Sequence, residues 1–338
     1  MDSGLSRQLF TRLLLVAPVV FGVVTLTFLV ARVFAPDPVA LYIPPQADEE
    51  LRHKIRVELG LDKSIPEQYG VFLADLAQGD LGESTITGRP VTSDLWDRLP
   101  ATVELALVSL TFAILIGVPL GVLAGARRDG PLDFSVRGIT LIGMALPSFW
   151  LGLVLILIFF VILGWLPGPV GRLPLGAEAP EKITGLYTLD SLIRGDLTLW
   201  WESVRHLILP GLTLGVVIVA PITRVARASM VEVMRSEYIR TPKALGIRKQ
   251  VIYFRYALKN ALLPIVTMIG TIVGFVFTGA VLVEAVFNWP GMGKYGLDAI
   301  LKSDFTALQG FVVVASVTYI VAFFLVDIVY MLIDPRTR

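Results

Sequence analysis

Few side chains in this sequence have the type and spacing that covalent chemistry demands. There is no cysteine, and only His53 and His206 offer imidazoles, in separate loops, so neither a thiolate nor a paired-histidine metal site can be drawn. No G-x-x-x-x-G-K-[ST] run, no H-E-x-x-H and no G-x-S-x-G elbow occurs. The expectation is a chain without catalytic residues, without a metal and without its own nucleotide site. What remains is recognition chemistry, concentrated in residues 224–264. That stretch carries Arg224, Arg227, Arg235, Arg240, Lys243, Arg248, Lys249, Arg255 and Lys259 against only Glu232 and Glu237. Its centre reads Thr241-Pro242-Lys243-Ala244-Leu245-Gly246. Thr suits an N-cap, Pro the first helical position, and Gly the residue just past a helix end, so these residues predict a single helical turn with both ends marked. One turn does not hold together alone in water, because nucleation outweighs so few hydrogen bonds. Such a turn needs a surface to dock against, and the reading is that it is a plug whose socket lies on another protein.

The elements that must hold this turn are apolar. Hydrophobic residues make up 55% of 338 positions and charged ones 17%, with a mean hydropathy of +0.73, which excludes an ordinary soluble domain. Six runs are long enough to cross a bilayer: 9–34, 102–126, 134–163, 207–225, 262–287 and 308–333. The fold expected is all-α and polytopic, with six transmembrane helices and both termini on one side. Arg7/Arg12, Arg127/Arg128, the basic insert and Arg336/Arg338 share that side, and the positive-inside rule makes it cytoplasmic. Trp96, Trp165, Trp200, Trp201 and Trp289 then fall near the outer boundary as an aromatic belt, whereas Trp150 lies inside the third span. Basic residues interleaved with Tyr238, Tyr253, Phe254 and Tyr256 do not make a nucleic-acid surface here, because helical periodicity and flanking spans claim them.

The loop 35–101 is too long for a plain connection. A thin amphipathic helix over 48–59, a stripe of Tyr69, Phe72, Leu73 and Leu76, and turns at 79–82 and 88–90 predict a small folded cap on the outer face. Residues 186–201 predict a helix lying on the outer membrane surface. After the insert's turn, Ile247, Val251, Phe254, Leu258 and Leu262 recur at helical spacing and predict one apolar face. Pro119, Pro147, Pro210, Pro221 and Pro264 are either tolerated kinks or bending points. Gly117/Gly121/Gly125 and Gly270/Gly274 form small-residue stripes for close helix packing, within this chain or against a second one. Glu104 and Glu284 near the outer ends, Trp150, and Asp327 inside the last span are candidates for lining a pathway; for Asp327 the simpler alternative is a carboxylate paired with an Arg near the interface.

By the central insert, the pattern resembles the permease subunit of type I ABC importers, in the dipeptide/oligopeptide (DppB/OppB-type) branch. Residues 99–102, 146–152, 284–293 and 327–336 agree in order and spacing, and 224–264 matches the family's cytoplasmic EAA loop. The loop departs from the general pattern in one respect: its acidic position is Arg240, with Glu237 three residues upstream and Pro242 in a small-residue place. The resemblance implies an N-terminal transmembrane helix (1–34), an external subdomain (35–101), a permease core (102–333) and a cytoplasmic tail (334–338) in a bacterial inner membrane. It implies that Glu237, Arg240, Thr241, Pro242, Lys243, Ala244, Leu245 and Gly246 couple to an ATPase. Its implied partners are a second homologous permease, two ATP-binding cassette subunits holding ATP and Mg, an external solute-binding protein, membrane lipid and a peptide or peptide-sized solute. A self-contained secondary transporter or channel is the alternative; it predicts coupling charges near mid-membrane or inverted repeats, and neither is visible.

Overall fold

In lipid every backbone polar group must be satisfied within the chain, and helices do this locally. The computed structural model describes residues 18–30, 32, 39, 48–58 and 60–333, side chains of 58, 327 and 329–333 excepted, and among them every named element is helical. A short apolar helix, α1, covers Pro18–Leu29; the rest of the expected first span lies outside the described residues. On one side follow α2 (Glu49–Glu58) and α3 (Ile65–Ala77), where the loop's periodicity placed them. Tyr69 and Phe72 of α3 pack on the Phe28 ring of α1, at centroid distances of 5.0 and 5.5 Å.

The bundle is built on two long helices, α4 (Val91–Ala126) and α8 (Leu197–Met234). Between them come α5 (Pro131–Ala145), α6 (Ser148–Leu155, running on as a π-helical stretch Ile156–Ile162) and α7 (Tyr187–Arg194). After α8 come α9 (Glu237–Ala244), the single turn α10 (Lys249–Val251) with a π-helical stretch Ile252–Ala257, α11 (Leu258–Val286), α12 (Met292–Leu301) and α13 (Phe305–Ile333). Four helices among the described residues meet the length and apolarity of a membrane span, and five do if the bent pair α5–α6 counts as one.

That pair corrects the expectation of one continuous third span: the two helices meet at 103° across Leu146-Pro147. Leu146 is extended (φ −82°, ψ 123°), the conformation a following proline imposes. Of the five candidate bending prolines only Pro147 breaks its helix; α4, α8 and α11 run through the others. The expected helix over 186–201 is also divided. Gly195 (φ +74°) ends α7, and the Asp196 carboxylate caps α8 by accepting from the Leu199 N–H at 2.9 Å.

The glycine stripes settle on partners inside the chain. A methyl group built on Gly121 would lie 2.5 Å from the Thr223 carbonyl oxygen and 2.6 Å from Ala226 Cβ; one on Gly125 would lie 2.7 Å from Arg227 O and Met230 Cβ. Gly270 faces Val326, and Gly274 faces the Tyr319 ring of α13. Around these contacts Leu105, Leu214, Ile222, Ile272 and Val276 form the main buried cluster. The neighbours of Gly121 are backbone and a methyl, which cannot swing aside. Gly121→Val therefore removes most folded protein in size-exclusion of the solubilised chain, through an overpacking cost of about 3 kcal/mol or more. Gly70→Ala on α3, where nothing lies within 4 Å, raises the midpoint of thermal unfolding slightly, as a helical Gly→Ala exchange worth up to about 1 kcal/mol should.

Candidate functional site

At the end of the bundle where α4 and α8 finish and α5 and α11 begin, α9 lies across the helix ends. Its start differs from the expected one. Ser236 is the N-cap (φ −67°, ψ 151°), so Thr241 is mid-helix and Pro242 sits inside rather than at the first turn. Its end is where the sequence placed it. Leu245 is the last αR-like residue, Gly246 takes φ +71°, the Gly246 N–H donates to Lys243 O and the Ile247 N–H donates to Pro242 O, both at 3.1 Å. This paired termination depends on a residue that tolerates positive φ.

The helix has two faces. Ile239, 0% exposed, and Pro242 face inward, and Ile239 joins Val122, Met230, Ile252, Ala257 and Ala261 in one buried cluster. Glu237, Tyr238, Arg240, Thr241, Lys243, Ala244, Leu245 and Gly246 are exposed. Leu245, at 73% exposure, is a bare apolar tip beside the turn. Glu237 and Arg240 pair at 3.0 Å on the solvent side, where such pairs contribute little, and Lys243 Nζ donates to Met234 O at 3.3 Å. The helix is thus anchored by apolar burial and ringed by charge.

The apolar face expected after the turn is kept at Ile247 and Leu258, which pack on that buried cluster, and displaced between them. Val251 and Phe254 are exposed, and Ile252, Ala257 and Ala261 are the buried positions. The π-helical stretch causes this: its wider turn brings residues five apart, 252 and 257, onto one face. Next to it, Asp133 at the start of α5 is fully buried and bound by Arg227 of α8; Arg227 Nη2 donates to Asp133 Oδ2 at 2.8 Å and Nε donates to Oδ1. Sequence reasoning counted Arg227 only as a topology charge; a buried acid in the first turn of an apolar helix was the signal that could have found the pair.

The four pathway candidates separate. Trp150 sits just past the Leu146-Pro147 bend and is half exposed. Asp327 falls on α13, but its side chain lies outside the described residues. Glu104 and Glu284 are buried and fully engaged. Glu104 accepts from Arg172 Nη2 (2.6 Å) and from the Thr188 N–H (2.8 Å) and hydroxyl (2.6 Å), while Arg172 stacks 3.4 Å from the Tyr187 ring centroid. Glu284 accepts from the Thr102 hydroxyl (2.7 Å) and the Lys294 N–H (2.8 Å), and Thr102 in turn accepts from the Met292 N–H. Gly291 and Gly293 leave room for that carboxylate. Trp289 corrects the aromatic belt: it is 1% exposed and donates its indole N–H to Ala101 O at 2.9 Å. His206 and His53 also correct the loop reading, for they lie on α8 and α2.

Two further polar residues complete this opposite end. Burial alone would raise the Asp190 carboxyl of α7. Hydrogen bonds from the Thr184 hydroxyl and from the N–H groups of Thr184, Gly185 and Ile183 outweigh it and hold the group below the ordinary carboxylate range. Asp304 caps α13 by accepting from the Ala307 N–H, and it ties in the segment before α4 through the Ser84 hydroxyl and the Ile86 N–H.

Residues 117–338 match the family model "Binding-protein-dependent transport system inner membrane component", and residues 5–106 match its N-terminal companion. The chain is 42% identical over 318 residues to a probable D,D-dipeptide transport system permease of Escherichia coli K12, covering 94% of this chain and 93% of that one. It is 38% identical over 331 residues to a dipeptide transport system permease of Alkalihalophilus pseudofirmus, covering 97% and 98%. A glutathione transport system permease of Pectobacterium atrosepticum is 35% identical over 327 residues, 97% of each. The buried ion pair between Arg172 and Glu104 gives a direct stability test. Arg172→Met leaves Glu104 without its counter-charge and lowers unfolding stability by about 3–5 kcal/mol, whereas Arg172→Met with Glu104→Gln recovers most of that loss, read as thermal midpoints of the solubilised chain.

Proposed function

The chain belongs to the family of inner membrane components of binding-protein-dependent transport systems, and from that premise we propose how it takes up force. It is a permease subunit of an ABC importer for peptides, as its near-full-length relatives are for dipeptides, oligopeptides or glutathione. Pumping requires a site exposed to each side in turn, and the energy for that change must arrive through a contact. Residues 237–246 are that contact. The observation that supports this is the bare Leu245 tip on a helix whose other face, Ile239 and Pro242, is sunk into the ends of α4, α8 and α11. A helix exposed in this way has a face to offer a groove and a base that passes load to the bundle.

In the full assembly, α9 sits in a groove of an ATP-binding cassette subunit that holds the ATP and Mg. Two such subunits serve this chain and a second, homologous permease, and the termini lie with them in the cytoplasm. An external solute-binding protein hands its peptide to the face formed by 35–101 and 164–206. ATP-driven closure of the two ATPases turns the cavity outward, and hydrolysis resets it. The chain contributes no catalytic group of its own.

The test is on the tip. Leu245→Asp puts a charge on a surface position, so insertion and thermal stability stay as in the parent, while solute-stimulated ATP hydrolysis by the reconstituted assembly falls about tenfold or more, the scale of losing a buried apolar anchor. Gly246→Val, strained at φ +71°, gives the same loss. Stimulation at the parental level in both variants would remove α9 from the coupling role.

A further inference from the structure

Among the described residues, Arg224 of α8 has no carboxylate within ion-pair distance. Arg227 is held by Asp133, and Arg137 Nε lies 3.9 Å from the same carboxylate. Arg224, one turn nearer the middle of the bundle, is exposed, and among the described residues its only polar contact is Nη1 to the sulfur of Met144 at 3.8 Å. It lies in a cleft of about 240 Å³ between α5 and α8, walled by Leu141 and Met144, bordered by the Thr140 and Thr223 side chains, and lined at its other end by Arg137 and Arg227.

Depth decides what such a group can meet. Side chains on a helix lean toward its N-terminus, so Arg224 points away from the α9 end and toward the Leu146-Pro147 bend. Met144 is about 20 Å along α5 from Pro131 at 1.5 Å per residue, in a hydrocarbon layer about 30 Å thick. Met144 lies about three helical turns further along α5 than Asp133, the partner of Arg227, and a phospholipid headgroup stays at a bilayer's interface. A guanidinium at this depth needs water and an anion, and intramembrane charges of this kind mark solute routes. Arg binds a carboxylate with two parallel hydrogen bonds, a geometry matched to the one charge shared by all linear peptides with a free C-terminus.

We propose that Arg224 lines the translocation route and receives the α-carboxylate of the peptide in transit. The inference rests on the peptide-permease reading. It makes Arg224 a specificity residue for the free acid and leaves the amino end and the side chains to other walls of the route.

The experiment uses the complete transporter in proteoliposomes with its solute-binding protein. ATP-driven uptake of one dipeptide is compared with uptake of its C-terminal amide, in the parent and in Arg224→Gln. Dividing variant rate by parental rate for each peptide cancels the preference of the binding protein. Expected is a fall of about tenfold for the free acid, the scale of losing a hydrogen-bonded charge pair, with the amide nearly unchanged and Arg224→Lys restoring part of the free-acid rate. Equal losses for acid and amide would overturn the proposal. So would a loss that follows the anionic-lipid content of the vesicles, which would assign Arg224 to a lipid headgroup. Absence of ATP-driven uptake of either peptide by the parent would overturn the peptide reading itself, and this inference with it.

Discussion

At Gly121 the backbone of α8 runs so close to α4 that the smallest side chain would not fit between them. Lipid tails are as apolar as leucine, so helices in a membrane gain little from hiding apolar surface and must gain from contact distance instead. Gly117, Gly121 and Gly125 supply that distance along one face of α4. The rest of the α9 end follows from it. Drawing α4 against α8 brings Val122 beside Met230, which together floor the cluster that receives Ile239. It also sets Arg227 where the first turn of α5 can reach it, so that Asp133 pins α5 to α8.

The opposite end is held by a different device. Glu104, Glu284, Asp190 and Asp304 are all buried, and burying a carboxylate costs several kcal/mol unless donors surround it. Each has them: a guanidinium and Thr188 for Glu104, Thr102 and a helix N-terminus for Glu284, a turn of backbone N–H groups for Asp190, and the start of α13 for Asp304. Thr102 and Glu284 come from two motifs 182 positions apart, and one hydrogen bond joins them. These motifs are therefore scaffold within this chain. Acids with several internal donors are spent on structure, and that separates them from Arg224, which has none of an acid's company.

How much of this was legible follows the range of each signal. The end of α9 was readable because its termination is local, with the N–H groups of Gly246 and Ile247 each donating to the preceding turn. Its start was not, since Ser236-Glu237 and Thr241-Pro242 both look like beginnings, and only burial of Ile239 and Pro242 chooses between them. The glycine stripes named a face but not what covers it, because spacing of four fixes direction and nothing beyond. The π-helical stretch displaced the apolar face at Val251 and Phe254, and periodicity assumed 3.6 residues per turn throughout. Trp289 was read as a belt residue from its place near a span end; its partner, Ala101 O, lies 188 positions away, out of reach of any local rule.

The path of a load through this chain has few places to yield. A push at Leu245 reaches Ile239 and Pro242 within the same short helix, and these rest on Met230 of α8 and Ala261 of α11. From Met230, α8 continues unbroken to Leu197 through Pro221 and Pro210, a rod of about 50 Å at 1.5 Å per residue. Glycine contacts weld α4 to that rod, so α4 and α8 move together or not at all. α5 is tied to α8 by the ion pair near its first turn and by Gly143 packing on Ala220 near its end, where α5 meets α6 at a 103° break with no helical hydrogen bonds across Pro147 to stiffen it. A close-packed pair beside a hinged one deforms at the hinge, because packed interiors resist strain and a broken helix does not. On the coupling role proposed above, displacement entering at α9 is taken up where α5 meets α8 and α6, beside the cleft that holds Arg224.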